Sequence, residues 1–418
     1  MKPILPVFCS ILFVFSKSSA NAAENWVPFQ KFSYFVSGKE ACRNESVEFL
    51  LTQLRNQGRQ EAELTKLKED FYLRIQSRDV IRPFVSENDV FAGINNRWVS
   101  VAPGCTNFLL QCKADQQNSC KKISSFPNNQ VVTVIFFDEG RLVAKRETYA
   151  ADVLNIPEKI DFILSVDGGK SWTEIRTPVP VCGVRAGVCE LIPLSFSKYT
   201  FISTKLNAKG NDFEEVSIHS TADGGKTWVL SIEKWQGVNF PDWVSLSKAT
   251  MVTIPVPQGH TISISEHDLN SKKTKSFQTS LPPDNWSHPN PGFVIKRDAE
   301  YFVQLNESAL MGGTSVFRLN QTDVSETQKP VWTSGTARVK DFQVSETAVV
   351  LRTWDASALS LVTSRFSEKI HYSLDGGGKW KVLDVPENIL DGTLLLSNKR
   401  IWLFLPDGIG YLDLPVNE

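Results

Sequence analysis

Beyond about Val80 the apolar residues come in short runs, broken every few positions by Gly, Pro, Asn or Asp. Arg97-Trp-Val-Ser-Val101, Val131-Val-Thr-Val-Ile-Phe-Phe137, Lys198-Tyr-Thr-Phe-Ile-Ser203, Ala348-Val-Val-Leu-Arg352 and Arg400-Ile-Trp-Leu-Phe-Leu405 are examples. Such runs are too short for helices and rich in β-branched and aromatic residues, so they predict strands. One stretch reads differently. From Asn44 to about Gln76, Leu50, Leu51 and Leu54 form an apolar stripe, followed by Leu64, Leu67 and Phe71 at helical spacing. Asn44 or Ser46 can cap this stretch, and Gly58 predicts a break into two helices. Residues 24 to about 40, with Trp26, Phe29, Phe32 and Phe35 among polar neighbours, read as an extended lead-in.

Among the strand-forming runs a single phrase occurs three times: Ser165-Val-Asp-Gly-Gly-Lys-Ser-Trp172, Thr221-Ala-Asp-Gly-Gly-Lys-Thr-Trp228 and Ser373-Leu-Asp-Gly-Gly-Gly-Lys-Trp380. Each lies between β-prone runs. The glycine pairs, Gly169, Gly225 and Gly377 among them, supply the positive φ of a tight turn. Asp167, Asp223 and Asp375 can accept backbone N–H groups of that turn. The hydroxyls of Ser165, Thr221 and Ser373 add a local bond, and Trp172, Trp228 and Trp380 anchor the turn on apolar surface. Calcium is the competing reading, but one carboxylate per turn is too few for an oxygen cage.

Asp167 and Asp223 are 56 positions apart, and Asp223 and Asp375 are 152 apart, close to three such intervals. Repetition at about 50 residues is the signature of propeller blades, each a four-stranded sheet. Two further turns are then due near residues 274 and 324, where Asp268-Leu-Asn-Ser-Lys-Lys-Thr274 and Asn320-Gln-Thr-Asp323 supply polar turn composition without the glycines. The phrase resembles the Asp-box, or BNR repeat, of sialidase-like and related β-propellers. The reading is an all-β fold: a β-propeller of six or seven four-stranded blades over residues 80–418, a short helical and extended N-terminal appendage over 24–79, and a signal peptide over 1–23. Ile409-Gly-Tyr-Leu-Asp-Leu414 is assigned to completing the sheet of the first blade.

The signal peptide rests on Lys2, the apolar stretch Ile4–Phe15 and the small-x-small phrase Ala20-Asn-Ala22. The apolar stretch is too short to span a bilayer, and no later transmembrane segment is read. Removing Lys2 and Lys17 takes the formal charge from −1 to −3, which makes no case for nucleic acid. The localisation expected is periplasmic or secreted. Six cysteines remain after cleavage: Cys42, Cys105, Cys112, Cys120, Cys182 and Cys189. An even count in an exported chain points to disulfides, and local spacing favours Cys182–Cys189 and Cys112–Cys120, leaving Cys42 with Cys105. Their spacing is not that of a zinc site, so no metal and no cofactor is expected.

The chain holds no Gly-x-Ser-x-Gly elbow, no His-Glu-x-x-His and no phosphate-cradling glycine loop. The sialidase resemblance implies three arginines around a substrate carboxylate, a Tyr–Glu nucleophile pair and an acidic proton donor. The family's first arginine lies in an Arg-Ile-Pro phrase, where this chain has Ile81-Arg-Pro83, and Tyr372 falls inside a turn-bearing strand. His219 and His371, each four residues before the Asp of its turn, read as strand residues. Trp235, Trp243, Trp286, Trp332 and Trp354 lie outside the repeats, where they either seal blades or recognise a ligand. The functional expectation is an exported, non-enzymatic binding protein with a protein partner, a bacterial immunity or assembly factor being one form of it. The alternatives are a sialidase-like glycoside hydrolase and a lectin-like glycan binder.

Overall fold

The computed structural model describes residues 26–31, 47–48, 51–52, 54–76, 80–95, 106–127, 129–149, 157–179, 189–206, 213–232, 244–247, 250–253, 261–268, 273–281, 289–307, 313–320, 328–355, 368–385, 392–397, 400–405 and 408–415. The leader at 1–23, Cys42, Cys105, Cys182, the run Arg97–Val101 and Trp235, Trp243 and Trp286 lie outside these residues.

In blades 1 to 6 the strand-forming runs pair with their neighbours in sequence, antiparallel, until four strands have accumulated. The chain then starts a new sheet. Seven four-stranded sheets result, which fixes the propeller at seven blades. Blade 1 begins with Val80–Val85, blade 2 with Gln130–Asp138, blade 3 with Cys189–Pro193 and blade 4 with Val244–Ser247. Blades 5, 6 and 7 begin with Pro289–Arg297, Ala337–Val344 and Thr393–Leu396. First strands adjoin between blades 1 and 2, 2 and 3, 4 and 5, 5 and 6, and 6 and 7, and that of blade 1 adjoins that of blade 7. They therefore ring the axis.

The hydrophobic core lies between blades. Phe91, Leu109 and Phe126 of blade 1 pack with Val132, Leu142 and Ile163 of blade 2. Phe162 of blade 2 meets Phe201 of blade 3, with ring centroids 6.0 Å apart. Val252, Ile262 and Ile264 of blade 4 pack with Tyr301, Val303 and Phe317 of blade 5. Each blade thus buries both faces of its sheet, and stability depends on closing the ring.

Closure corrects one expectation. Ile409–Leu414 does not complete blade 1. Gly408–Asp413 is the third strand of blade 7, and the N-terminal strand Val27–Lys31 pairs beside it as the outermost fourth. The propeller accordingly includes part of the lead-in. Phe29 is buried there against Trp402, at 5.0 Å between centroids, and Tyr411, at 6.1 Å. The helical prediction is met by α1 (Glu61–Gln76), preceded by helical positions within 47–56 and a turn at Gly58, whose φ is +85°. Lys68 of α1 reaches back to Glu48 at 2.5 Å, and Val47, Leu51 and Leu64 are buried.

Candidate functional site

The three repeated phrases occupy one position in three different blades: the turn between the third and fourth strands of blades 2, 3 and 6. The Ser165 hydroxyl donates to Asp167 Oδ1 at 2.8 Å and accepts the Gly169 N–H at 2.8 Å. Asp167 Oδ1 also accepts the N–H groups of Lys170 and Ser171, at 3.0 and 2.9 Å. The Ser171 hydroxyl donates to Oδ2 at 2.5 Å. Thr221, Asp223, Gly225 and Thr227 repeat every one of these contacts in blade 3. In blade 6 Asp375 keeps the Ser373 and Lys379 backbone contacts, but Lys379 stands where Ser171 and Thr227 supply a hydroxyl. Donors crowding the carboxylate lower its pKa: the Ser171 hydroxyl and backbone hold Asp167 at about 2, and Thr227 pulls Asp223 down in the same way.

Sequence reasoning places each Trp under its own turn. The structure sends it further. Trp172 Nε1 donates to Ser124 Oγ of blade 1 at 3.0 Å, Trp228 Nε1 to the Arg176 carbonyl of blade 2 at 2.8 Å, and Trp380 Nε1 to the Val331 carbonyl of blade 5 at 2.8 Å. Each turn therefore staples its blade to the last strand of the blade before it. The signal was present in the repeat length, since the bonded residues are one blade apart.

The remaining blades solve the same problem otherwise. Strand three of blade 4 ends at Asp268 and that of blade 5 at Asn320, the places assigned to degenerate turns. In blade 1 the corresponding turn is closed by a disulfide, Cys112–Cys120, with Cα atoms 4.0 Å apart. Cys189 is also disulfide-bonded; its pairing with Cys182 and that of Cys42 with Cys105 fall outside the described residues.

Chemistry concentrates elsewhere, in blade 6. Arg352, on the second strand (Val349–Asp355), is fully buried. Its Nε donates to Glu368 Oε2 at 2.7 Å, its Nη2 lies 2.5 Å from the same oxygen, and Nη1 lies 3.2 Å from Asp341 Oδ2. Nη1 also donates to the Gly392 carbonyl at the entry to blade 7. Asp341 sits on the axial strand beside a β-bulge, and its side chain is 25% exposed. Bulges re-aim side chains. Burial pushes the Asp341 carboxyl above the usual range, with the charge of Glu368 adding to this and Arg352 opposing it. A partly open carboxyl whose pKa burial raises, with a fixed cation beside it, is a candidate for proton exchange. Asp341 belongs to no motif. The one signal available was Arg352, a charged residue in the apolar run Ala348-Val-Val-Leu-Arg352.

The sialidase constellation finds no match in these residues. Two Tyr–Glu pairs occur: Tyr149 donates to Glu147 at 2.7 Å, and Tyr301 donates to Glu266. Among the described residues each has a lysine beside it: Lys145 lies 3.6 Å from Glu147, and Lys296 lies 2.8 Å from Glu266. Tyr372 is buried and lies under Lys381. His219 and His371 are strand residues whose pKa burial lowers, that of His371 to about 4. Among the described residues no three His, Cys, Asp or Glu side chains converge as a metal site.

No protein-family model matches the chain, and no curated protein matches its sequence. Solved structures do share its shape. A prolyl endopeptidase superposes with a TM-score of 0.51 at 9% identity, over 82% of this chain and 51% of that one. A polysaccharide lyase, an ulvan lyase bound to a glucuronate–rhamnose 3-sulfate unit, gives 0.46 at 11% identity, over 79% and 91%. An α-L-arabinofuranosidase from Fusarium graminearum gives 0.38 at 15% identity, over 67% and 92%. This chain thus spans about half of the prolyl endopeptidase it matches. That likeness shows a shared fold, and because a propeller of this fold is part of that endopeptidase it overturns the reading that the chain is more likely not an enzyme. A missing catalytic phrase does not separate binding proteins from catalysts here.

Proposed function

We propose that the chain is an exported Asp-box propeller that hydrolyses a glycosidic bond, with Asp341 as the general acid. The observation that carries this is the Asp341 carboxyl on an axial strand, partly exposed, raised in pKa by burial and set against a buried guanidinium. The acid of a glycoside hydrolase must hold its proton near neutral pH and give it to the leaving oxygen. Arg352 then stabilises the carboxylate that remains, while Glu368, tied to Arg352 and to Lys340 at 3.1 Å, holds that cation in place. The three Asp-Gly-Gly turns are Asp-boxes on this reading and take no part in chemistry.

The test is release of reducing sugar from unactivated polysaccharides by purified protein. Asp341→Asn should lower turnover by roughly 10²- to 10⁴-fold, the usual worth of a positioned acid. Aryl glycosides with good leaving groups should suffer less, since they need little protonation. Wild-type activity should decline as pH rises through the Asp341 pKa. Turnover indistinguishable from a boiled control on all polymers would sink the reading. N-terminal sequencing of mature protein beginning just after Ala22 would support export.

A second reading, engagement of a protein partner, has its own observation. The outer strands of blades 3 and 6 expose Val229 at 61%, Leu230 at 39% and Val382 at 50%. Exposed apolar side chains on sheet edges suit protein contact. Co-purification with the product of the neighbouring gene, lost on Val229→Glu with Leu230→Glu, would support it; unchanged co-purification would count against this surface.

A further inference from the structure

The ring is held shut by the two ends of the chain. The closing strand, Val27–Lys31, is 5 residues long, and its register slips between Pro28 and Gln30. A short outermost strand with one hydrogen-bonded neighbour belongs to the least stable part of a sheet protein. Among the described residues, two hydrogen bonds across the seam end on one turn. The Asn118 N–H of blade 1 donates to the Phe29 carbonyl at 2.9 Å, and Arg400 Nη1 of blade 7 donates to the Ala114 carbonyl.

That turn occupies the position that Asp-Gly-Gly turns fill in blades 2, 3 and 6, yet it has no glycine pair. Asn118 takes the left-handed conformation, φ +54°, without the freedom of glycine. The bonds between Ser119 and Lys113 that close it are solvent-exposed. Backbone bonds from Gln116 to Lys113 and from Ala114 to Asn88 also hold it, and the covalent bridge between Cys112 and Cys120 spans it. Cys112 is buried in a single apolar cluster with Phe29, Trp402 and Phe404, and Cys120 packs against the same cluster.

We propose that the Cys112–Cys120 disulfide is the latch of the ring: it shapes the turn that docks the N-terminal strand, and breaking it frees that strand while the other blades stay folded. The latch is set by oxidation. A small dithiol opens it in two exchange steps, supplying two electrons, ending as its own cyclic disulfide and leaving two cysteine thiols. This proposal is independent of the catalytic reading.

Hydrogen exchange followed by mass spectrometry tests it on the full mature chain. In Cys112→Ser with Cys120→Ser, which keeps the bond at Cys189, the amides of Val27–Lys31 should exchange at least about tenfold faster, as expected for a released edge unit. Gly408–Asp413 should follow. The turns at Ser165–Trp172 and Thr221–Trp228 should hold their protection. Unchanged exchange at Val27–Lys31, or an equal rise over every blade, would overturn the latch. Should the double variant fail to fold, folded wild-type protein before and after dithiol treatment decides by the same peptides, and Cys189–Pro193 separates any effect of the other bridge.

Discussion

Two blade boundaries show how differently one junction can be closed. Between blades 2 and 3, Trp228 reaches back to the Arg176 carbonyl, stands 5.8 Å from the Phe201 ring, and is fixed by a turn whose Gly225 rests on Ile175. Between blades 4 and 5 the sequence supplies no Asp-Gly-Gly phrase. Lys296 pairs with Glu266 at 2.8 Å, Tyr301 donates its hydroxyl to the same carboxylate, and the Tyr301 ring lies 5.1 Å from Phe277. Burial raises the Glu266 pKa, but the bonds from Lys296 and Tyr301 outweigh it and leave it lowered. The first junction adds an apolar staple from a contiguous phrase to an ion pair, Lys145 with Glu190 at 2.9 Å. The second sets its ion pair and Tyr301 hydroxyl, from separate strands, beside the apolar cluster of Val252, Ile264 and Val303. Apolar staples tolerate acid and salt; a half-buried ion pair keeps its worth only while the carboxylate is charged.

Removing an apolar staple should have the largest effect. Trp172→Ala strips the indole from the cluster formed by Phe126, Leu142 and their neighbours and ends its bond to Ser124. A loss of about 3 kcal/mol is expected for truncating a large aromatic in such a site, read from the denaturant midpoint. A loss under about 1 kcal/mol, the level of a surface change, would mean that the staple is ornamental. Next comes Lys296→Met, which takes the paired cation from Glu266 and leaves the Tyr301 hydroxyl on it. The pair is 15–19% exposed, so the cost should be about 2 kcal/mol, below that of a fully buried pair. That cost should be present at neutral pH. It should disappear as the solution is acidified through the lowered Glu266 pKa, because a protonated Glu266 no longer needs the cation. An equal loss at neutral and low pH would assign Lys296 a packing role instead.

The contrast also explains which features could be read in advance. The turns at Asp167, Asp223 and Asp375 are contiguous, so their hydrogen bonds, their blades and the blade interval were all legible. Asp268 and Asn320 were placed by that interval alone. Cys112 and Cys120 were legible because only a short polar stretch separates them. The closing strand was not: Val27–Lys31 finds its partner at the far end of the chain, and no local pattern announces a fourth strand that arrives first. Asp341 was equally hidden, because its character comes from Arg352 and Glu368 on two other strands and from a bulge that leaves no mark in composition.

The smallest effect lies inside the repeats, where the three turns are not equal. Asp167 and Asp223 each receive a hydroxyl on Oδ2, from Ser171 and Thr227 at 2.5 Å, whereas Asp375 faces Lys379 at that position. Lys379→Ser should supply the missing donor and lower the Asp375 pKa further, and Ser171→Ala should raise that of Asp167 from about 2. A carboxyl whose folded pKa lies below its unfolded value adds stability that is complete above the unfolded value and is lost as pH falls through the folded one. Lys379→Ser should therefore add a little stability at neutral pH, lost only as pH falls through the lowered Asp375 pKa, while Ser171→Ala should remove a little of the neutral-pH stability that Asp167 supplies. Carboxyl carbon chemical shifts followed against pH report both residues directly. If Asp375 titrates at the same pH in the Lys379→Ser variant as in the wild type, the hydroxyl is not what distinguishes the first two turns, and the backbone donors alone set the carboxylate.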